Sequence, residues 1–160
     1  MEVLTPVEFR HFVPGDEAAF LELNQAWIAR YFVVEEKDWE VLKNPVKYIL
    51  EPGGALFMAF QDEVAVGTCG LLAMGGGSYE VAKMTVSEKL RGLGIGKKLL
   101  AHVIGYAREI GAKRLYLETN NHLQSAIHVY ESLGFRHLPL ERIVPSPYAR
   151  ANVYMELWLE

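Results

Sequence analysis

The sequence predicts a single α/β domain in which a mixed sheet carries helices on its faces. The first observation is the order of periodicities, because strand-like and helix-like stretches follow one another as β, α, α, β, β, β, α, β, α, β, β. The second is that helices join strands late in the chain, which requires crossover connections. The third is a length of 160 residues, 51% of them hydrophobic and 22% charged, which suffices for one continuous core.

The first third of the chain is predicted to hold one strand and two helices. The strand covers residues 7–13 and ends at a proline–glycine turn. Asp16 is expected to cap the helix that follows. The apolar positions of that helix recur at helical spacing and are Phe20, Leu23, Trp27 and Ile28. A second helical stretch covers residues 36–50, and Pro45 is expected to kink or restart it.

The middle of the chain is predicted to hold three strands and a long helix. The strands cover residues 55–61, 64–74 and 78–87, joined by one acidic turn and one turn of three glycines. Apolar residues then recur at helical spacing from Ile95 to Ile110. This helix is expected to end at a glycine.

The last third is predicted to add three strands and one helix. A strand over residues 114–119 precedes a short helix that Gly134 closes. The apolar face of that helix is formed by Ala126, Val129, Tyr130 and Leu133. Two final strands, over residues 135–142 and 152–159, flank a loop that contains two prolines and Tyr148.

Charge and cysteine content exclude several classes of function. The formal net charge of −4 provides no basic field for nucleic acid or an anionic membrane. Cys69 is the single cysteine, so an intrachain disulfide and a multi-cysteine zinc site are excluded, and no metal site is predicted. Residues 1–10 show no signal pattern and no apolar run reaches the length of a membrane span. We therefore expect a cytoplasmic protein.

A glycine-rich segment over residues 91–97, reading R-G-L-G-I-G-K, lies between a predicted strand and a predicted helix. Alternate glycines permit positive φ and let a ligand approach the backbone closely. The start of the helix supplies unpaired N–H groups and the positive end of the helix dipole. Arg91 and Lys97 add positive charge at either end. This segment is expected to bind a phosphate or a pyrophosphate.

Two familiar glycine loops do not fit this segment. A Walker A loop, G-x-x-x-x-G-K-S/T, would need glycine where Arg91 stands and a hydroxyl residue where Lys98 stands. The dinucleotide fingerprint G-x-G-x-x-G fails as well, because its last glycine would fall on Lys97 or on Leu99. A plain flexible turn is the remaining alternative.

The same segment resembles the signature of GNAT acetyltransferases, in which Arg or Gln is followed three positions later by Gly and two positions after that by Gly or Ala. Here these positions are Arg91, Gly94 and Gly96. A second stretch, A-I-x-x-Y-x-x-x-G-F over residues 126–135, also resembles the family and lies where it would be expected. The resemblance is close over residues 82–134 and covers the rest of the chain through the order of its elements.

The resemblance implies a GNAT-like fold, with a mixed, mostly antiparallel sheet of about six to seven strands and helices on both faces, in one domain over residues 1–160. It also implies acetyl-CoA as cofactor. The residues carried over for the pyrophosphate are Arg91, Gly92, Leu93, Gly94, Ile95, Gly96 and Lys97. The residues carried over for the pantetheine arm, which pairs with the strand backbone where the sheet splays open, are Met84, Thr85 and Val86.

The implied chemistry is direct attack by an amine on a thioester, which needs a base, an oxyanion donor and an acid. The Val86 N–H is the candidate oxyanion donor, because a fixed dipole acts without reorganising. Tyr130 is the candidate acid near the sulfur, with packing in the core as the alternative. Glu80 is the candidate general base, with a solvent-facing carboxylate as the alternative, and Glu118 and Thr119 are further candidates.

One position departs from the family pattern. Where the family often has an asparagine whose amide contacts the cofactor, this chain has Leu123, three residues before Ala126. Asn120 and Asn121 lie just upstream, and Asn120 is carried forward as the candidate cofactor contact.

The acceptor pocket is expected between the first helices and the loop that joins the last strands. The aromatic and basic residues of these segments are Trp27, Tyr31, Phe32, Trp39, Tyr148, Arg142 and Arg150. They suit a small acceptor that carries a carboxylate. The acidic residues nearby, which would instead attract a polyamine or a lysine side chain, are Glu35, Glu36 and Asp38. The alternative for each residue is a core aromatic or a solvated charge.

The sequence therefore predicts an N-acetyltransferase that acts on a small-molecule amine. Two alternatives stay open: a protein or peptide N-acetyltransferase, and an acyl-CoA-binding module without catalysis. An open groove would favour a peptide and a capped cavity a metabolite. By analogy with the family, a homodimer through the last strand is also considered, since apolar residues alternate there at Val153, Met155, Leu157 and Leu159.

Overall fold

The computed structural model describes residues 5–159. The strands are β1 (Glu8–His11), β2 (Ala55–Gln61), β3 (Val64–Gly75), β4 (Ser78–Val86), β5 (Arg114–Thr119), β6 (Arg136–His137) and β7 (Val153–Trp158). The helices are α1 (Glu17–Tyr31), α2 (Glu36–Lys43), α3 (Ile95–Glu109) and α4 (Gln124–Ser132). This order of elements is the predicted one.

The strands form one seven-stranded sheet in the order β1-β2-β3-β4-β5-β7-β6. Its neighbouring strands run antiparallel except β4 and β5, which run parallel because the crossover helix α3 joins them. The prediction of a mixed, mostly antiparallel sheet is confirmed.

The helices cover both faces of the sheet, as the alternation of side chains in β2 illustrates. Phe57 packs in a cluster with Leu99 and Val103 of α3 and with other residues on that face. Its neighbours Leu56 and Met58 point to the opposite face, where they pack in a cluster with Phe20 of α1 and Leu42 of α2. Apolar clusters on both sides of the sheet therefore hold the fold together.

Several element boundaries differ from prediction for local reasons. The second helical stretch stops at Lys43, and a separate helical turn runs from Val46 to Leu50, because Pro45 has no N–H to continue the ladder. Asp16 makes no side-chain cap. Its carboxylate instead accepts hydrogen bonds from the Val13 N–H at 2.9 Å and from Arg10 at 2.7 and 3.1 Å.

The end of the chain differs most from prediction. Of the strand expected over residues 135–142, the structure retains β6, and a short helical turn (Leu140–Arg142) follows Pro139. The strand β7 lies between β5 and β6. Its apolar alternation is accounted for by packing within this chain, because Met155 and Leu159 are buried in the core. Within residues 5–159, no helix has both the length and the apolar character needed to cross a membrane.

Candidate active site

The parallel strands β4 and β5 separate part-way along their length. Their pairing runs from Ser78 opposite Arg114 to Val81 opposite Leu117. Beyond Val81, β4 continues to Val86 with β3 on one side and, among the described residues, without a strand partner on the other. The splay that was expected at the cofactor strand is thus present.

A backbone irregularity in β4 lies at the start of this opening. Lys83 has a φ of 53°, and the register with β3 shifts there, between Thr68 and Gly70. The Thr68 hydroxyl donates to the Lys83 carbonyl at 2.7 Å, and the buried Asn24 side chain of α1 donates to the Thr68 hydroxyl at 3.0 Å. This chain of hydrogen bonds satisfies buried polar groups and stabilises a strained bulge.

Sequence reasoning missed Asn24, although a signal was available. Asn24 lies between Phe20 and Ile28 at spacings of four residues, so it is a polar residue on the buried face of α1. Such a side chain needs a buried partner.

The register of the ladder fixes the direction of the Val86 N–H. The Ser87 N–H donates to the Val66 carbonyl at 2.7 Å. Val86 and Gly67, which lie directly opposite each other, are therefore a pair that exchanges no hydrogen bonds. The Val86 N–H consequently points away from β3, toward the side of β4 that is open.

The glycine-rich segment leads from β4 into α3. Gly92 and Gly94 have φ values of 80° and 77°, and Gly94 is the first residue before the helix. Open space surrounds both of them, so it is the positive φ that requires glycine. In the described part of the chain, the N–H groups of Gly94, Ile95, Gly96 and Lys97 have no acceptor within the protein.

Gly96 has a different role from the two glycines before it. Its φ is not positive, and a Cβ atom there would lie 3.6 Å from Met84 Cε and 3.8 Å from Val86 Cγ2. The start of α3 thus lies directly against the open part of β4, so the free N–H groups and the free strand edge form one continuous surface.

A cavity opens where β4 and β5 separate, between α1, α4 and the loop before β7. Of the residues predicted for the site, it is lined by Glu80, Met84, Glu118, Thr119, Asn120 and Tyr130. Of the predicted acceptor residues, it is lined by Trp27, Phe32, Tyr148 and Arg150. Val86 and Arg91 instead line a shallow groove beside α1.

Glu80 is the most perturbed carboxyl group of the cavity. Burial is the main cause, with a smaller effect of the negative charge of Glu118, and together they raise the pKa of Glu80 to about 7 against a partial opposing effect of Lys83. The Glu118 carboxylate accepts hydrogen bonds from the Tyr116 hydroxyl at 2.9 Å and the Ser146 hydroxyl at 2.6 Å. A carboxyl group near pKa 7 suits proton transfer at neutral pH.

Tyr130 belongs both to the core and to the cavity. Its ring packs against the core, with the Phe135 ring centroid at 6.1 Å. Burial raises the pKa of its hydroxyl to about 12. Among the described residues, this hydroxyl has no hydrogen-bond partner. No side-chain oxygen or nitrogen that is fully buried lacks a partner in this part of the chain, so the hydroxyl is accessible to solvent, and Tyr130 lines the cavity. The packing of Tyr130 in the core is therefore present, and its role as an acid stays a prediction.

One wall of the cavity is supported by an ion-pair cluster that the sequence did not reveal. The fully buried Asp38 of α2 accepts hydrogen bonds from Arg150 at 2.8 and 2.6 Å and from Lys83 at 3.3 Å. Burial alone would raise the pKa of Asp38, but the hydrogen bonds from Arg150 and the backbone hold it below the ordinary value. The Tyr148 ring lies between the two cations, 4.8 Å from Lys83 Nζ and 4.6 Å from Arg150 Cζ.

Comparison with known proteins identifies this architecture. A model of the acetyltransferase (GNAT) family matches residues 18–135. The chain belongs to the acetyltransferase (GNAT) family. The Escherichia coli protein named uncharacterized N-acetyltransferase YjgM is 32% identical over 136 residues, which is 81% of each chain.

Solved structures agree with this assignment at the level of the fold. A GNAT acetyltransferase from Staphylococcus aureus Mu50 superposes with a TM-score of 0.87 at 24% identity, over 97% of this chain and 100% of that one. A Bacillus subtilis acetyltransferase solved in complex with CoA has a TM-score of 0.72 at 20% identity, over 97% and 100% of the two chains. The seven-stranded splayed sheet is thus a GNAT fold.

Some of the residues that were predicted for the site in this GNAT chain lie outside the cavity or have their polar groups bonded within the protein. Asn120 lines it, but its amide donates to the Arg150 carbonyl at 2.6 Å and accepts from the His122 N–H at 2.8 Å. Arg142 lies outside the cavity, where it forms an ion pair with Glu156. Tyr31 also lies outside the cavity, and its hydroxyl accepts a hydrogen bond from Arg91. No group of three or more metal-ligating side chains occurs within residues 5–159.

Proposed function

We propose that this GNAT chain transfers an acetyl group from acetyl-CoA to the primary amine of a small-molecule acceptor by direct attack. The observation that carries the proposal is that Glu80, a carboxyl group of pKa about 7, and Tyr130 line one cavity at the splayed edge of β4. A base and an acid with separated pKa values are what amine acylation requires.

The residues present fit the cofactor. The free N–H groups at the start of α3 and the positive charges of Arg91 and Lys97 suit a pyrophosphate. The open edge of β4 at Met84, Thr85 and Val86 suits the amides of a pantetheine arm, which would pair as an added strand. When bound, acetyl-CoA supplies a thioester whose carbonyl carbon accepts the amine nitrogen as the carbon–sulfur bond breaks.

Glu80 and Val86 act on the acceptor and on the carbonyl group. Glu80 takes a proton from the acceptor ammonium, directly or through a water molecule, because its pKa of about 7 leaves part of it ionised at neutral pH. The Val86 N–H, which points to the open side of β4, is the proposed donor to the developing oxyanion.

Tyr130 is proposed to give its proton to the departing thiolate. A phenol of pKa about 12 would be a poor acid for a thiol in water. The same burial that raises the pKa of Tyr130 also raises the pKa of the Cys69 thiol to about 12. A thiolate released into a cavity shielded from water would likewise be a stronger base than a thiolate in water, which favours proton transfer from Tyr130.

The shape of the cavity favours a small acceptor over a peptide. Tyr148 and Arg150 close one side of it, and Arg150 is attached to the buried Asp38 of α2. A chain that extended in both directions would have to displace this wall. Asn120 also lines the cavity. We still propose that it contacts the cofactor, although its amide already forms hydrogen bonds within the protein.

The proposal is tested by two measurements on the purified protein. Calorimetric titration should show CoA binding, and a thiol-reactive dye should report thiol release from acetyl-CoA when a panel of primary amines is supplied. CoA binding without thiol release for every amine would favour an acyl-CoA-binding module. Indifference to CoA would overturn both readings.

Tyr130→Phe provides the matched test of the acid. The variant should lower kcat by about 100-fold, in the range typical of a lost general acid, while CoA affinity changes little because the ring is retained. The comparison needs kcat from thiol release and Kd from calorimetry on the same preparations. An unchanged kcat would leave Tyr130 with a packing role alone.

A further inference from the structure

We propose that the acceptor is a primary amine without a carboxylate beside its amino group, as in a decarboxylated amino acid rather than an intact one. This inference rests on the proposed acetyl transfer and specifies the acceptor class at the same cavity. It also revises the expectation that the arginines near the last loop receive an acceptor carboxylate.

The basic side chains of the cavity are already paired. Among the described residues, Lys83 and Arg150 are the cations that line it. Arg150 makes two hydrogen bonds to Asp38 and one of 3.3 Å to Glu35, while Lys83 makes one to Asp38. Two positive charges thus face two negative charges.

Further contacts hold the Asp38 carboxylate in its position. It is fully buried, and its carboxylate additionally accepts a hydrogen bond from the Glu35 N–H at 2.8 Å at the start of α2. A substrate carboxylate that drew Lys83 or Arg150 toward itself would leave the Asp38 charge buried with fewer partners, which is strongly unfavourable. The paired cations therefore hold the wall in place and do not serve as a carboxylate receptor.

Glu80 and Glu118 form what we call the acidic wall of the cavity, and its negative charge is compensated less fully, because Lys83 offsets only part of the raised pKa of Glu80. Among residues 5–159, Glu80 and Glu118 form no ion pair, and the hydrogen-bond donors to Glu118 are neutral hydroxyl groups. The negative charge of Glu118 contributes to the raised pKa of Glu80, which indicates that the two groups share one environment. A bound ammonium group would complement this charge, whereas an added carboxylate would oppose it.

The remaining walls suit a hydrocarbon body. Trp27 and Phe32 line the cavity with ring centroids 6.0 Å apart, and Ile28 and Leu123 add aliphatic surface. Aromatic faces also attract cations. An ammonium head directed toward Glu80 and Glu118, with an apolar chain or ring against these side chains, satisfies each part of the cavity.

The experiment compares acceptors that differ in the carboxylate alone. Thiol release from acetyl-CoA is measured with phenethylamine, L-phenylalaninamide and L-phenylalanine, and then with isobutylamine against L-valine. The amines and the amide should exceed the amino acids in kcat/KM by about tenfold or more, since like charges placed together in a site are disfavoured.

A charge variant tests whether the negative charge of the acidic wall, and not a general preference for small acceptors, causes the preference for amines. Glu118→Gln should lower kcat/KM for phenethylamine several-fold and reduce its advantage over L-phenylalanine. Glu36→Gln removes one exposed charge of α2 outside the cavity and should leave that ratio unchanged.

The possible outcomes are distinguishable. Equal or faster acetylation of the amino acids, with thiol release intact, would overturn this inference and leave acetyl transfer standing. An amine preference that Glu118→Gln does not alter would overturn the assignment of that preference to the acidic wall. Absence of thiol release with every acceptor would overturn the proposed function and this inference together.

Discussion

The surroundings of Glu80 determine the pKa of its carboxyl group. Glutamate is usually ionised and exposed at neutral pH, but in this cavity burial and the neighbouring Glu118 raise its pKa to about 7. The same shift has one consequence for catalysis and another for stability, and each can be measured with the variant Glu80→Gln.

The catalytic consequence is a rising limb in the pH–rate profile. We expect kcat/KM of the wild-type protein to increase with pH through an apparent pKa of about 7, because Glu80 accepts a proton only when ionised. Glu80→Gln should lose this limb and fall in rate by about 100-fold or more. The measurement is thiol release between pH 5.5 and pH 9. A limb that persists in the variant would assign it to another group.

The stability consequence has the opposite sign to the usual carboxylate. The folded pKa of about 7 lies above the ordinary 4.5, so between these values the folded state holds a proton that the unfolded state has lost. Raising the pH through this window therefore destabilises the fold, by up to about 3 kcal/mol once pH 7 is passed.

Glu80→Gln removes that cost, since glutamine does not ionise. Its Tm should exceed that of the wild type by several degrees at pH 8, and the two proteins should be close at pH 4. Thermal unfolding at both pH values makes the comparison. A constant difference at pH 4 and pH 8 would show that the ionisation of Glu80 is not responsible.

At the scale of elements, the start of α3 depends on two kinds of glycine. Gly94 has a φ of 77° in open space, whereas Gly96 has ordinary helical backbone and lies against Met84 and Val86. Gly94 is required because of its positive φ. Under the proposed function, Gly96 is required because the cofactor would approach its backbone closely. A substitution that leaves the fold intact therefore belongs at Gly96, because Gly94→Arg would also strain the backbone.

The two positions can be separated by matched substitutions. Gly94→Ala should reduce the free energy of unfolding by about 1 kcal/mol, the cost of left-handed backbone in an L-residue. Gly96→Ala should change it little, because the new methyl group would be at ordinary contact distance from its neighbours. Gly96→Arg should abolish CoA binding while near-native Tm is retained. Denaturant unfolding and calorimetry test all three, and full CoA affinity in Gly96→Arg would contradict the binding assignment.

At the scale of the whole molecule, one buried ion-pair cluster joins distant parts of the chain. Asp38 of α2, Lys83 of β4 and Arg150 of the loop before β7 meet on one side of the cavity. Removing one charge from such a cluster leaves the others buried without compensation, which commonly costs about 3–5 kcal/mol.

Asp38→Asn should accordingly lower Tm by about 10 °C, at roughly 2–4 °C per kcal/mol for a domain of this size. It should also expose residues 143–152 to hydrogen exchange, because Arg150 would lose its attachment to α2. Glu36→Gln, an exposed change on the same helix, is the control and should stay within about 0.5 kcal/mol of the wild type. Unchanged exchange in the loop would show that Asp38 does not hold it.

Local signals were sufficient for the order of elements and for the glycine-rich segment. The strands β2 and β5 end where the apolar patterns end, and the positive φ at Gly92 and Gly94 is a property of those residues and their neighbours. The predicted strand over residues 135–142 was wrong in extent because Pro139 interrupts it, a local signal that the apolar pattern concealed.

By itself, the sequence determined the order of the strands and helices and the position of a glycine-rich helix start that resembles a pyrophosphate site. The tertiary structure alone decided the bulge at Lys83, the pairing of both cavity cations with Asp38, and the pKa of Glu80. The physical reason is the distance along the chain over which each interaction acts. Periodicity and turn chemistry act over a few residues. Burial and ion pairing depend on groups such as Asp38 and Arg150, which are 112 positions apart in the chain and meet only after folding.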